Sequence, residues 1–553
     1  MGRLARICAT ACVALSACAG ACALPARALA SGTQVSMLMD DDQLIYVDHQ
    51  HMVQTLQTIH SLGVDVVKVS LVWQLVAPDP YSSRKPSFDD TDPAAYPPGA
   101  WTRYDNLVRT AQALGMKVYF LIIGPAPDWA VPRHLAHGQG PSLGYPPILG
   151  DFRDFVEAAG RRYSGAYVDP SAQPPPAATS IAGVTVPDLT GAQQQSQPAP
   201  PPQPIPRVDY WGIWNEPNER SWLNPWYRPL PHHRRAYIQP ELYRGLVDAA
   251  WQGLASSDHA SDTVMIGETA NRGILTPVQF VRSLYCVSAR LRPLRGAAAS
   301  AVGCPASGPP GSFVAAHPGL FEAAGYAHHP YAFDSPPNRP YPDRSFVTIY
   351  NLRSFERLLN RIFAVYGVHP SGGVPIYLTE WGYKTDPPNP YAHVSLATQA
   401  AWLDEGEYMT WRDPFVRSLT QFLLVDSLPK PGARRGSALY WSTFQTGLET
   451  MSGAPKPAFS TYRMPIWLPV ARHGSHVAVW GQVRPADHAA SQWAILEFRP
   501  RGSSKWSELT ELQTNSPEGY FWTHVSIPSA GAVRLAWYDP SLGVIFSRTV
   551  GVR

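Results

Sequence analysis

Repeated β–α units followed by a run of short strands predict an α/β chain. Its units either close as an eight-fold barrel or spread as an open doubly wound sheet, and a small β-sandwich follows. Three observations carry this expectation. The 553 residues suffice for a large core and more than one domain. Short apolar runs without polar alternation recur between amphipathic helical stretches, as parallel strands covered on both faces require. Beyond about residue 465 the helical periodicity stops, and strand-like runs separated by turn signals take over.

The first strand is expected over residues 34–39. A helix over 53–62 precedes the second strand, 64–73 (VDVVKVSLVW), and a helix over 104–114 precedes the third, 117–123 (KVYFLII). A helix over 152–163 comes before the fourth strand, 208–215. Residues 264–269, 325–331 and 375–380 continue the series. Both 418–426 and 438–444 qualify as the eighth strand. The first is preferred because a helix over 397–411 leads into it, which leaves the second as a loop.

Between the third helix and the fourth strand, residues 169–207 contain PPP, QQQ and PAPPPQP. Such a tract buries too little apolar surface to offset its ordering entropy, so a disordered surface insertion is expected. Lying just before a strand, it belongs at the rim opposite the strand's C-terminal end. The barrel thus covers 31–465. Residues 466–553 form an Ig-like β-sandwich module, whose single aromatics fit a role in packing on the barrel.

Residues 1–30 read as an export signal: Arg3 and Arg6, an apolar stretch, then Ala28-Leu29-Ala30 as a cleavage site. A lipobox-like Leu15-Ser16-Ala17-Cys18 offers anchoring at Cys18 as the alternative to secretion. No later stretch is apolar and long enough for a membrane span. The leader carries Arg3, Arg6 and Arg27 and no acid, so its loss turns 45 basic residues against 42 acidic ones into an even balance. Nothing then points to nucleic acid. Cys8, Cys12, Cys18 and Cys22 lie in the leader. The remaining pair, Cys286 and Cys304, is expected to form a disulfide in an exported chain.

Three strand ends carry polar groups: Asn215-Glu216; His328, His329 and Tyr331; and Glu380. A parallel barrel gathers such ends at one face. Two facing carboxylates are what glycoside hydrolysis needs, one to protonate the leaving oxygen and one to attack or to activate water. Trp214-Asn215-Glu216-Pro217-Asn218 resembles the fourth-strand signature of the clan A glycoside hydrolases, and Leu378-Thr379-Glu380-Trp381-Gly382 resembles their seventh-strand nucleophile segment. His329-Pro330-Tyr331 is similar to the sixth-strand motif. Gly447-Leu448 and Pro455-Lys456-Pro457-Ala458-Phe459 are similar to the run after the last strand. The ordered set is most similar to the family 39 and family 5 types.

The resemblance implies a (β/α)8 TIM barrel and a retaining mechanism without a cofactor or metal. Glu216 would be the acid/base, Glu380 an ionised nucleophile, and the pH dependence bell-shaped. Asn215 would hold the substrate 2-hydroxyl, Tyr331 would bond the nucleophile, and His329 would line the pocket. Where many relatives have arginine on the second strand, this chain has Lys68. It either supplies charge beneath the nucleophile or faces the helices. Glu268, ending the fifth strand, contacts substrate or pairs with Lys68 or an arginine. Trp73, Trp129, Trp381 and Trp441 lie at or beyond strand ends and are candidates to stack on sugar rings. His134, His137, His232, His233 and His259 read as surface residues. Zinc-ligand spacing, phosphate loops and a G-x-S-x-G elbow are absent. The expected partner is a poly- or oligosaccharide, bound by a monomer. The rival reading is a non-catalytic carbohydrate-binding or cell-wall protein on the same barrel.

Overall fold

The computed structural model describes residue 31 and residues 33–553, apart from 134–143, 171–179, 182–183, 186–201, 392, 487–490, 515 and 541. The leader and His134 and His137 therefore lie outside the described residues.

Eight parallel strands close a barrel: β1 Val35–Met39, β2 Val66–Val72, β3 Lys117–Ile123, β4 Tyr210–Ile213, β5 Thr263–Ala270, β6 Gly325–His329, β7 Ile376–Trp381 and β8 Val416–Phe422. Closure comes from β1, which pairs with both β2 and β8. The open sheet is excluded, and the first of the two eighth-strand candidates is the strand. Connecting helices include α1 His49–Ser61, α2 Thr102–Ala113, α3 Leu149–Arg162, α4 Gln239–Ser256, α5 Pro277–Leu284, α6 Leu352–Val365 and α7 Leu396–Trp411. Helices α1 to α6 lay apolar residues on the strands, whereas α7 buries mostly polar ones. In α3, Phe155 stacks on Trp73 with ring centroids 5.0 Å apart. Every strand buries one face against this helical layer. The other face fills the barrel, where Met37, Val66, Tyr119, Met265 and Ala327 form an apolar plug.

The insertion before β4 leaves and rejoins the barrel at one point. Ile205 N–H donates to the Tyr167 carbonyl (2.8 Å), and Arg109 donates to the carbonyls of Gln203 (2.8 Å) and Pro204 (3.0 Å). Both described ends, after α3 and before β4, lie at the rim away from the strands' C-terminal ends. Within it Ser180–Ile181 pairs with Val184–Thr185. Most of the stretch for which disorder is expected lies outside the described residues.

After the barrel and a short helix, α8 Pro457–Arg463, come two antiparallel sheets. The first holds β9 Ile466–Trp467, β10 Gly474–Gln482 and β13 Tyr520–Ile527. The second holds β11 Trp493–Pro500, β12 Ser507–Gln513, β14 Gly531–Asp539, β15 Gly543–Phe546 and β16 Val550–Val552. Val479 and Phe521 from the first sheet share one buried cluster with Leu496, Phe498 and Leu535 from the second. The aromatics expected to pack on the barrel do so: Trp480, Tyr520 and Trp522 close over Tyr408 and Trp411 at the end of α7.

Candidate active site

At the C-terminal ends of the strands lies a cleft of about 770 Å³. Asn215, Glu216, Tyr331 and Glu380 are at its floor, and Tyr46, Trp222, Phe333, Phe422 and Phe444 line its walls. Volume and lining suit a bound organic ligand of several rings.

Backbone irregularity aims the floor's carboxylates. On β5, Ile266 pairs with Tyr326 but Thr269 pairs with His328, so β5 carries one extra residue at Gly267–Glu268. Met265 faces the barrel interior and Ile266 the helices. Strict alternation would send Glu268 outward with Ile266. The bulge, with φ of +111° at Gly267 and +44° at Glu268, turns it inward instead. On β7, Leu378 pairs with Leu419 and Trp381 with Gln421, again one residue in excess. Thr379 and Glu380 thereby both reach the interior, while Trp381 returns to the helical layer. Gly212 on β4 makes room below: a Cβ there would lie 2.0 Å from the Tyr119 hydroxyl, which donates to Glu268.

The Asn-Glu-Pro-Asn turn is held in the same fashion. Trp214 and Glu216 adopt left-handed φ values of +62° and +38°. Such strain persists where surrounding structure over-determines it. Glu216 N–H donates to the Glu268 carbonyl at 2.9 Å. Asn218, fully buried, donates to the carbonyls of Ala270 and Leu275 and accepts from Ala270 N–H. Asn218 is thus the staple of the turn, a role its place in the motif does not announce.

Glu216, His329 and Glu380 each bring a polar atom within 4.8 Å of the others. Tyr331 donates to Glu380 Oε2 at 3.2 Å, as the resemblance implies. Asn215 lines the cleft with its buried side-chain oxygen unpaired, a free acceptor for a hydroxyl. Of the two places expected for Lys68, it takes the one beside Glu380 in the barrel interior and does not face the helices. Fully buried, it lies 2.9 Å from Glu268 and 3.5 Å from Glu380 and donates to the Thr379 carbonyl at 3.1 Å. Glu268 takes the pairing role, accepting from Lys68, Tyr119, Thr379 (2.9 Å) and His329 (2.7 Å). Burial alone would raise its pKa, yet Lys68 and His329 hold it at about 2.

Several expectations change. His329 does not line the cleft: it is fully buried beneath it, Nδ1 3.0 Å from Glu216 and Nε2 2.7 Å from Glu268. Burial pulls its pKa down, but Glu380, Glu216 and Glu268 outweigh that and hold it at about 9. Its neighbour His328 faces the helices, bonded to Thr269 and the Val347 carbonyl, and burial pulls it to about 4. Glu268 and Lys68 are likewise sealed from the cleft and touch no substrate there. Trp73, Trp129 and Trp381 are 1%, 5% and 1% exposed and form core. Trp73 packs edge-on to Trp129, and Trp381 sits over Gly406. Trp441 packs on Tyr440 outside the cleft lining. The wall aromatics are instead Tyr46, Trp222, Phe333, Phe422 and Phe444, which sit in loops or at a strand end with no motif to mark them. His259 is buried between Asp262 and the Gly160 carbonyl, whereas His232 and His233 are exposed.

Glu380 departs from the simple picture of an ionised nucleophile. Burial pushes its carboxyl up, against the pull of His329 and Lys68, and Glu216 adds to the push. Three carboxylates, Glu216, Glu268 and Glu380, share two cations here, Lys68 and His329. The trio Glu216, His329 and Glu380 has metal-ligand spacing. A His329 whose two nitrogens both face carboxylates and which holds two protons offers no lone pair to a cation.

Cys286 and Cys304 form a disulfide. Lys456, in the run after the last strand, bonds Asp426 (2.6 Å) and Thr385 (3.0 Å), tying the loops after β8 and β7 together. Among the described residues no helix is long and apolar enough to cross a membrane.

No family model and no curated protein matches the chain. Among solved structures it is similar to a glucosidase from Croceicoccus marinus, at 12% identity over 89% of this chain and 91% of that one, with a TM-score of 0.43. It is similar to a monomeric beta-xylosidase from Caulobacter crescentus CB15, at 15% identity over 89% and 96%, TM-score 0.43. It is also similar to a family 1 b-glucosidase from Thermotoga maritima, at 13% identity over 75% and 85%, TM-score 0.43.

Proposed function

We propose that this chain is an exported retaining glycoside hydrolase of the clan A kind, acting on a poly- or oligosaccharide. The observation that carries this reading is the pair of carboxylates, Glu216 after β4 and Glu380 on β7, whose oxygens approach within 4.8 Å on the floor of an aromatic-walled cleft. Retaining enzymes hold their carboxyl groups about 5–5.5 Å apart, whereas inverting ones need about 6.5–9.5 Å to admit a water. Glu380 is the nucleophile. Lys68 and His329 flank it and Tyr331 donates to it, so charge that builds on it is stabilised. Glu216, with its side chain 20% exposed to the cleft, is the acid/base. In the first step Glu380 attacks the anomeric carbon while Glu216 gives its proton to the departing oxygen. In the second, Glu216 takes a proton from water, and the resulting nucleophile releases the sugar from Glu380. The disulfide and the basic, apolar leader support export.

The test is hydrolysis across a panel of β-xylosides, β-glucans, β-galactans, arabinofuranosides and exopolysaccharides, with the first-formed anomer read by NMR. Net retention is expected. An inverted product overturns the double displacement. Saturable binding without hydrolysis of any glycan favours the non-catalytic rival.

A further inference from the structure

We propose that Glu268 is a positioning residue: it holds His329 as a doubly donating imidazolium, and that ring dictates which oxygen of Glu216 carries the catalytic proton. The inference rests on the glycosidase reading for its consequence, and on the geometry beneath the cleft for its cause.

Glu268 is fully buried and accepts from Lys68, Tyr119, Thr379 and His329. A carboxylate so supplied with donors is ionised and has no proton to give, so His329 Nε2 must carry one. Its other nitrogen, Nδ1, lies 3.0 Å from Glu216 Oε1 and 3.5 Å from Glu380 Oε2. With both nitrogens protonated, Nδ1–H donates to Oε1. The proton of the general acid then belongs on Oε2, free to meet a leaving group. When the ring loses a proton, Nε2–H stays with Glu268 and Nδ1 becomes a bare acceptor. It then draws Glu216's proton onto Oε1, away from the substrate. The charge of a residue outside the cleft thus switches the general acid on.

The groups facing this ring are Lys68 from β2, Glu216 from the β4 end, Glu268 from β5 and Glu380 from β7. Tyr119 from β3 acts through Glu268, and Tyr331 packs edge-on to the ring. Carboxylates outnumber the one opposing cation, Lys68, which favours the charged ring. The β5 bulge is what puts Glu268 among them.

The experiment uses the full chain with histidine-labelled imidazole NMR, the His329 signal being assigned by its loss in His329→Asn. Glu268→Gln is expected to lower the His329 titration and to move the alkaline limb of kcat/KM down with it. Lys68→Met removes a cation that opposes the ring's charge, so it is expected to raise that titration. A structural lesion would not give opposite signs. Glu268→Asp, which keeps the charge and lengthens the contact, is expected to give a smaller downward shift and serves if Glu268→Gln does not fold. An unmoved His329 in the Glu268 variants overturns the proposal. So does an alkaline limb that ignores the His329 shift, or a shift of the same sign in Lys68→Met. If the ring titrates as expected but no glycan is turned over by the unmodified protein, the glycosidase reading fails while Glu268's hold on the ring stands.

Discussion

The floor of the cleft and the seam between the barrel and the C-terminal sheets are both built on buried carboxylates, yet they are balanced differently. At the seam each acid has its own guanidinium: Asp404 on α7 meets Arg548, and Glu407 meets Arg484. Arg484 also lies over Tyr462, 4.0 Å from the ring centroid, and Trp480, Tyr520 and Trp522 close the neighbouring surface. At the floor Glu216, Glu268 and Glu380 share Lys68 and His329, the backbone is left-handed at two of the three acids, and a cleft opens above. Burial pushes Asp404 and Glu407 up to about 7 against the pull of their arginines. A perturbed carboxyl is therefore no sufficient mark of function. What separates the two places is unequal charge, strained backbone and adjoining space, taken together.

The sharpest break in this comparison is Glu380→Ala. Turnover of any active substrate should fall below detection, with the melting temperature little changed. Activity at the unmodified rate would remove the nucleophile. Glu216→Gln should cost about 10²–10⁴-fold in kcat for substrates with poor leaving groups, the usual range for lost proton transfer. Substrates with activated leaving groups should suffer much less in the first step.

Arg484→Ala should act in the opposite sense, on stability rather than chemistry. Removing one partner of a buried pair costs about 3–5 kcal/mol. Denaturant midpoints should drop, while kcat/KM at low temperature stays near that of the unmodified chain. A seam variant that lost activity before stability would erase the distinction between the two places.

The smallest effect concerns pH. Asp404 and Glu407 keep protons in the folded state at pH values where the unfolded chain, with carboxyls near 3.9 and 4.3, has released them. Stability from these groups is therefore lost as pH rises from about 4 to about 7. Urea midpoints should fall across that range, and the double variant Asp404→Asn, Glu407→Gln should flatten the slope. An unchanged slope would mean that the arginines keep both acids ionised throughout.

Strand positions were legible because a strand covered on both faces must be continuously apolar, and each such run led to its barrel strand. Asn215, Glu216, Tyr331 and Glu380 were legible because they sit where strands end, and strand ends in a parallel barrel share a face. The tryptophans misled. Trp73, Trp129 and Trp381 also sit at strand ends, but a large flat ring satisfies the helical layer as readily as a sugar, and sequence position does not record which way it turns. Phe422 and Phe444 reach the cleft from the end of β8 and the loop after it, a placement set by how the loops fold over one another. His328 and His329, adjacent in sequence, end on opposite sides of β6 with opposite charge preferences, because alternation splits neighbours between interior and helices.

By itself the sequence determined the order of strands and helices, the pairing of Cys286 with Cys304 and the two carboxylates placed after β4 and on β7. These follow from local periodicity, composition and motif, which need no distant partner. The tertiary structure alone decided where Lys68 and Glu268 point and what His329 does. Each depends on an inserted residue in a ladder or a hydrogen bond to a strand far away in sequence. One extra residue in β5 reverses the facing of Glu268, and only the paired neighbour, β6, reveals that it is extra.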